Sequence, residues 1–323
     1  MIKKIALTIA LTFSLQANGI KKVDTLVLSG PMASVSHPLL RMIDTNALSD
    51  VAKEVKFVMW KSPDELRALT LRGRADFIAV PTNVGANLYN KGVNIKLLNV
   101  SVWGILGMIT RDKTKKTLAD FKGCEIAMPF RADMPDIIFE EIVKEQGLDP
   151  KIDFKLRYVS SPIDAMQMLI LRRIDHALLA EPAISMALRK TNSFPLKLIA
   201  PDLYRSSDLQ KEWGDVFKIE SKIPLAGMAV LGKKDNHLIE RFNEEYVKAL
   251  KWYKTHPKEA GILAHKYIEM LLPEAVEDSL KYVQLNSVSA KDAKKDLEFF
   301  YEILKNNNPK TIGGKLPDDG FYR

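Results

Sequence analysis

Short apolar runs alternate with amphipathic segments along most of the chain. Apolar runs at 25–28, 55–60 and 76–80 are each followed by a segment with helical spacing. A further run lies at 95–100, and the same rhythm restarts after residue 111. Later runs at 125–128, 154–159, 175–179 and 225–231 continue it, before a helix-rich tail. Strands and helices that alternate with short connections predict parallel α/β sheets flanked by helices.

Two helix starts repeat the same chemistry in the two halves of the chain. Ser62 and Ser161 are each followed by a proline, and an acidic residue, Glu65 or Asp164, stands three positions after each serine. This spacing is typical of an N-cap, a proline at the first helical position and a capping box. Both helices lead to a basic pair and an Asp-led strand, at 71–78 and at 171–178. The repeat predicts two similar lobes.

The length of 323 residues also favours two lobes over one domain. We expect the first lobe to contain residues 20–110 and 223–323, and the second to contain residues 111–222. The helices of the tail then pack back on the first lobe, which makes that lobe discontinuous in sequence.

The first nineteen residues have the features of a secretory signal peptide. Lys3 and Lys4 precede an apolar stretch at 5–15, and Ala17 and Gly19 supply small residues for a cleavage site after Gly19. The stretch is shorter than the roughly 20 residues that a membrane-spanning helix needs. No cysteine follows it that could carry a lipid anchor. We therefore expect a periplasmic protein.

The composition excludes several classes of function. The formal charge of +8 is scattered rather than clustered, which argues against a nucleic-acid partner. Cys124 is the single cysteine, so no internal disulfide can form. The five histidines are dispersed without metal-ligand spacing, and we expect neither a metal site nor a cofactor. No hydrolase, phosphate-binding or metalloprotease motif is present, so the chain is not expected to be an enzyme.

Four segments resemble one group of transport proteins: residues 69–77, 118–127, 180–183 and 313–322. Their order is similar to that of the nitrate/taurine/alkanesulfonate and thiamine-pyrimidine-precursor group of periplasmic solute-binding proteins. The resemblance implies a two-lobed venus-flytrap fold, a small-molecule ligand between the lobes, a monomer, and the permease of an ABC importer as membrane partner. The loop at 30–37 matches no ligand-specific signature, which leaves an anionic and an aromatic organic solute as alternatives.

Two other functions fit the same fold. One is an enzyme acting on a planar carboxylate, against which the signal peptide argues. The other is a soluble ligand-sensing module without a role in transport.

Ligands of doubly wound sheets bind beyond the carboxyl ends of the strands, where helix N-termini point. This rule selects the loops at 30–37, 60–62, 81–83 and 130–135. Glu181 is added because it follows the strand at 177–180 and, with Pro182, resembles the Glu-Pro pair of the family. The candidate ligand-binding residues are Ser34, His37, Trp60, Thr82, Asn83, Phe130, Arg131, Asp133, Met134 and Glu181.

Arg131 is the main candidate, because a guanidinium can bind a carboxylate or sulfonate through two hydrogen bonds. Asp133 is close enough in sequence to neutralise it. Trp60 would offer an aromatic face, and Glu181 would contact an amine or bridge the lobes. The alternatives are capping by Ser34, Thr82 and Asn83, a structural His37 and a solvated Arg131.

Overall fold

The structure, a computed structural model, describes residues 22–323, so the predicted signal peptide at 1–19 lies outside the described residues. The strands are β1 Val23–Gly30, β2 Ala52–Met59, β3 Phe77–Pro81, β4 Ile95–Leu97, β5 Asn99–Gly104, β6 Leu106–Thr110, β7 Glu125–Pro129, β8 Lys155–Val159, β9 His176–Ala180, β10 Tyr204–Asp208, β11 Ala226–Leu231 and β12 Gln284–Ser289. The helices are α1 His37–Asp44, α2 Pro63–Leu71, α3 Thr82–Asn90, α4 Met134–Glu145, α5 Pro162–Ile170, α6 Ala183–Thr191, α7 Leu196–Ile199, α8 Leu209–Phe217, α9 Asn236–Thr255, α10 Pro257–Tyr267, α11 Pro273–Ser279 and α12 Lys294–Asn307.

These elements form two separate sheets, each flanked by helices. The first sheet has the strand order β12-β5-β11-β3-β1-β2, with β4 paired to β11, and the second has the order β10-β6-β9-β7-β8. The predicted two-lobed α/β fold is confirmed. We call the two sheets with their helices the first lobe and the second lobe.

Each sheet is mixed rather than mostly parallel. Strand β1 pairs in parallel with β2 and β3, and β7 pairs in parallel with β8 and β9. The remaining pairs, those of β11, β12, β6 and β10, are antiparallel. A strand that is buried on both faces has the same continuous apolar sequence whether it pairs in parallel or antiparallel. The sequence pattern therefore did not distinguish these antiparallel strands from parallel ones.

The chain crosses between the lobes at Ile105, five residues before the boundary that we predicted after residue 110. Strand β6 therefore belongs to the second sheet. The side chain of Gln210 holds this crossover by accepting from Leu106 N at 3.0 Å and donating to Leu106 O at 3.0 Å. A Cβ atom on Gly104 would lie 2.5 Å from Gln210 Cγ, so the close approach requires glycine there.

The tail packs largely on the first lobe. Phe242 of α9 stacks on Phe77 of β3 with ring centroids 3.9 Å apart. Tyr246 donates to Val35 O at 3.0 Å, and Tyr301 donates to Thr82 O at 3.0 Å. These hydroxyls satisfy carbonyls of the loops that lead to the cleft, so the tail fixes the conformation of those loops.

Candidate functional site

A cavity of about 410 Å³ lies between the two lobes. The first lobe lines it with the loop at 31–35, the carboxyl ends of β2 and β3, and the start of β11. The second lobe contributes the segments at 133–135, 161–163 and 180–183, at the starts of α4, α5 and α6. This volume is in the range of pockets that hold small organic molecules.

Five of the ten predicted site residues line the cavity: Trp60, Phe130, Asp133, Met134 and Glu181. They come from both lobes, as the loop rule required. The structure thus brings together residues that are up to 121 positions apart in sequence, counting from Trp60 to Glu181.

The four remaining first-lobe candidates face the interior of that lobe instead. His37 Nδ1 lies 2.8 Å from the hydroxyl of Tyr253, and burial lowers the pKa of His37 to about 4. Thr82 donates to Pro224 O at 2.5 Å, while Ser34 and Asn83 are buried. None of these side chains lines the cavity, which corrects our placement of them; their sequence neighbours, such as Ala33 and Pro81, line it instead.

Arg131 lies in a different groove, with its guanidinium 5.1 Å from the ring centre of Tyr158. The backbone of Phe130 and Ala132 has positive φ values of 61° and 57°. This turn directs Phe130 into the cavity and leaves Arg131 exposed outside it. The structure therefore corrects our placement of Arg131 in the cleft.

Trp60 is the largest aromatic side chain in the cavity wall and is 7% exposed. Its indole N–H donates to Ala79 O at 3.3 Å, so the polar atom is satisfied within the first lobe. The ring is held by this bond and offers apolar area to a ligand.

Two buried carboxylates line the cavity, and each already has its partners. Asp133 accepts from Arg67 at 3.1 Å and from its own helix at Met134 N, at 3.2 Å. Glu181 accepts from Arg205 and, at 3.1 Å, from Ser185 N. Burial raises the pKa of both carboxyl groups, and the paired arginines oppose that effect.

Several side-chain contacts join the two lobes. Arg67 of α2 in the first lobe bonds Asp133 at the start of α4, so Asp133 pairs across the cleft and not with Arg131 as we expected. Arg189 of α6 bonds Asp278 of α11 at 2.5 Å. Glu181 forms its ion pair within the second lobe, with Arg205. The guanidinium carbon of Arg205 lies 3.7 Å from the ring centre of Tyr282 in the tail, so this arginine also contacts the first lobe.

The residues that sequence reasoning missed are mostly prolines and methionines. Six of the sixteen prolines line the cavity: Pro31, Pro63, Pro81, Pro135, Pro162 and Pro182. Four methionines also line it: Met32, Met59, Met134 and Met270. Of these four methionines, only Met134 was among the predicted site residues. The repeated Ser-Pro pair could have indicated that prolines line the cavity, because both copies of the pair begin helices there.

Within residues 22–323, no helix is long and apolar enough to cross a membrane. Among the same residues, the structure places no three histidine, cysteine or carboxylate side chains together as a metal site would require.

The whole fold matches solved structures of ABC-transporter binding proteins. An ABC transporter protein from Parabacteroides distasonis superposes with a TM-score of 0.73 at 21% identity, covering 93% of this chain and 98% of that one. The periplasmic aliphatic sulphonate binding protein of Escherichia coli gives 0.66 at 15% identity, with 93% and 92% covered. The chain has the two-lobed fold of periplasmic binding proteins.

The periplasmic nitrate-binding protein of Synechocystis PCC 6803 shares this fold, with a TM-score of 0.70 at 13% identity over 88% of this chain and 82% of its own. The venus-flytrap fold that the resemblance implied is thus confirmed. No protein-family model matches the sequence, and no curated protein matches it.

Proposed function

We propose that the chain is the periplasmic solute-binding component of an ABC importer. It captures a small organic molecule between its lobes and delivers that molecule to a membrane permease. The observation that carries the proposal is the cavity of about 410 Å³, which takes its lining from both lobes. A ligand held there contacts both halves only when the lobes are closed, so binding favours the closed form.

The contacts across the cleft support this mechanism. The ion pairs Arg67–Asp133 and Arg189–Asp278 join the lobes, and Asp133 itself lines the cavity. Contacts of this kind between the lobes stabilise a closed form. A periplasmic location agrees with the predicted signal peptide and with the location of the sulphonate- and nitrate-binding proteins that share the fold.

Native mass spectrometry of protein purified from its own host tests the proposal. We expect a retained small molecule that dissociates on unfolding. Replacing Ala33 in the cavity wall by tryptophan should abolish this retained mass, because the indole would fill the space that the ligand takes. Ala119→Trp, at an exposed position of the second lobe, is the matched control and should retain the molecule. If the retained molecule is lost from neither variant, or from both, the proposed site is contradicted.

A further inference from the structure

Three of the helices that begin at the cavity, α2, α4 and α5, have few free hydrogen-bond donors in their first turns. A fourth, α6, has no acidic residue in its first turn, and its Ser185 N–H is used by Glu181. The first turn of a helix normally offers unpaired N–H groups and partial positive charge, which suit an anion. Here α2, α4 and α5 each have a proline at one of the first two positions, namely Pro63, Pro135 and Pro162, and all three line the cavity. Proline has no N–H group to donate.

Cap side chains use further donors at the same three helices. Ser62 accepts from Glu65 N at 3.3 Å, Asp133 accepts from Met134 N at 3.2 Å, and Ser161 accepts from Asp164 N at 3.2 Å. Each first turn also contains at least one acidic residue. Acidic groups there offset the positive end of the helix dipole, so these helix starts are poor anion sites.

The charged side chains of the wall do not favour an anion either. Within the described chain no arginine lines the cavity, and the basic residue that does, Lys61, is exposed. An exposed ammonium is well hydrated and screened by salt, so it attracts a ligand weakly.

A cationic ligand is disfavoured by the state of the two carboxylates. Asp133 and Glu181 each have one oxygen bonded to an arginine and the other to a backbone N–H. Each carboxylate is thus already neutralised by an arginine, so a ligand amine would meet an ion pair without net charge rather than a free carboxylate. Such a pair repays little of the cost of removing the ligand's ammonium group from water.

The rest of the cavity wall is an apolar surface whose side chains can adapt to the shape of a ligand. The flexible, polarisable side chains of Met32, Met59, Met134 and Met270 surround the cavity, together with the rings of Trp60 and Phe130. We infer that the solute is an uncharged, largely apolar organic molecule, and that the prolines at the helix starts select against anions. This inference rests on the proposed function and names the substrate class of that site.

Two fluorescent dyes that differ by one charged group test the inference. N-phenyl-1-naphthylamine is uncharged, and 8-anilino-1-naphthalenesulfonate has the same ring system with a sulfonate. Titration of ligand-stripped full-length mature protein should give a Kd at least tenfold lower for the uncharged dye. Ala33→Trp should abolish binding of that dye, and Ala119→Trp should not. Equal or tighter binding of the sulfonate, or binding of neither dye, would overturn the inference.

A proline variant isolates the role of the helix starts. Replacing Pro63, Pro135 and Pro162 together by alanine restores three N–H groups at the cavity, and alanine is well tolerated in a first turn. We expect the Kd ratio of the two dyes to shift several-fold toward the sulfonate. Pro257→Ala, at the first position of α10 and outside the cavity wall, is the control and should leave the ratio unchanged. An unchanged ratio in the triple variant would overturn the selection by prolines.

The two hypotheses fail in different ways. A preference for the sulfonate, combined with a retained molecule that Ala33→Trp abolishes, would refute the substrate class and leave the binding function intact. A retained molecule that is insensitive to Ala33→Trp would refute the site itself, whichever dye binds more tightly.

Discussion

The guanidinium of Arg67 and the carboxylate of Asp133 form an ion pair of 3.1 Å across the cleft, at the edge of the ligand cavity. Arg67 belongs to α2 of the first lobe, and Asp133 caps α4 of the second. The pair therefore links the closure of the lobes to a residue of the cavity wall. It also explains why Asp133 does not pair with Arg131.

Asp133→Asn should weaken the closed form while leaving the fold intact, because asparagine is an equally good helix cap. Loss of one partly exposed ion pair costs about 1 kcal/mol, or roughly fivefold in an equilibrium constant. We expect the retained molecule to dissociate about fivefold faster, and small-angle scattering of the ligand-stripped protein to give a larger radius of gyration.

Asp64→Asn is the matched control for this experiment. Asp64 also pairs with Arg67, at 3.3 Å, but it is exposed and lies on the same helix in the first lobe. Its loss should change neither the dissociation rate nor the radius of gyration. Equal effects of the two substitutions would show that the pair across the cleft has no special role.

Trp60→Ala should weaken binding more than any other single truncation of the cavity wall. The indole supplies the largest aromatic surface there and is held in place by its bond to Ala79 O. We expect a loss of about 2 kcal/mol, roughly 30-fold in the Kd of N-phenyl-1-naphthylamine, by fluorescence titration. Trp252→Ala, at a ring that stacks on Arg41 outside the cavity, should leave that Kd unchanged.

Arg131→Ala should leave ligand affinity within about 0.3 kcal/mol of the wild type, since Arg131 is exposed in a separate groove. Calorimetry with the retained molecule measures this directly. A loss of 2 kcal/mol or more would instead restore the anion-binding role that the sequence suggested for this arginine.

The sequence predicted which loops lie at the cavity better than it predicted which side chains of those loops face it. Strand ends and helix starts follow from local patterns, and Trp60 and Phe130, selected in this way, line the cavity. Which side chain of a loop faces the cleft depends on the turn, and the positive φ values of Phe130 and Ala132 decide this for Arg131. Such values are uncommon outside glycine, and no local signal predicted them.

The same distinction applies to the fold. The helix starts at Ser62 and Ser161 were predicted together with the bond that each serine accepts from the N–H three residues later, because these bonds depend on neighbouring residues only. The reciprocal bond of the capping box does not form: Glu65 accepts from Lys61 N instead. The assignment of β6 to the second sheet depends on its pairing with β9 and β10, which are distant in sequence. Apolar periodicity does not contain that information.

Glu141 of α4 gives the protein a specific dependence of stability on pH. Its side chain is 5% exposed, and burial raises its pKa from 4.5 to about 7. The folded state therefore holds this proton more tightly than the unfolded chain does. It follows that the stability contributed by the neutral carboxyl is complete below pH 4.5 and is lost as the pH rises to about 7.

Glu141→Gln should thus raise the free energy of unfolding at pH 8 by about 1–3 kcal/mol and leave it unchanged near pH 4. Glutamine is neutral at both pH values, and its side-chain oxygen still accepts the hydrogen bond from Asn307 of the first lobe. Urea unfolding at the two pH values measures the difference. Glu140→Gln, one residue earlier and only partly buried, is the control and should change stability little at either pH. Stabilisation by Glu141→Gln that is equal at pH 4 and pH 8 would contradict the argument, because it would not depend on the charge of Glu141.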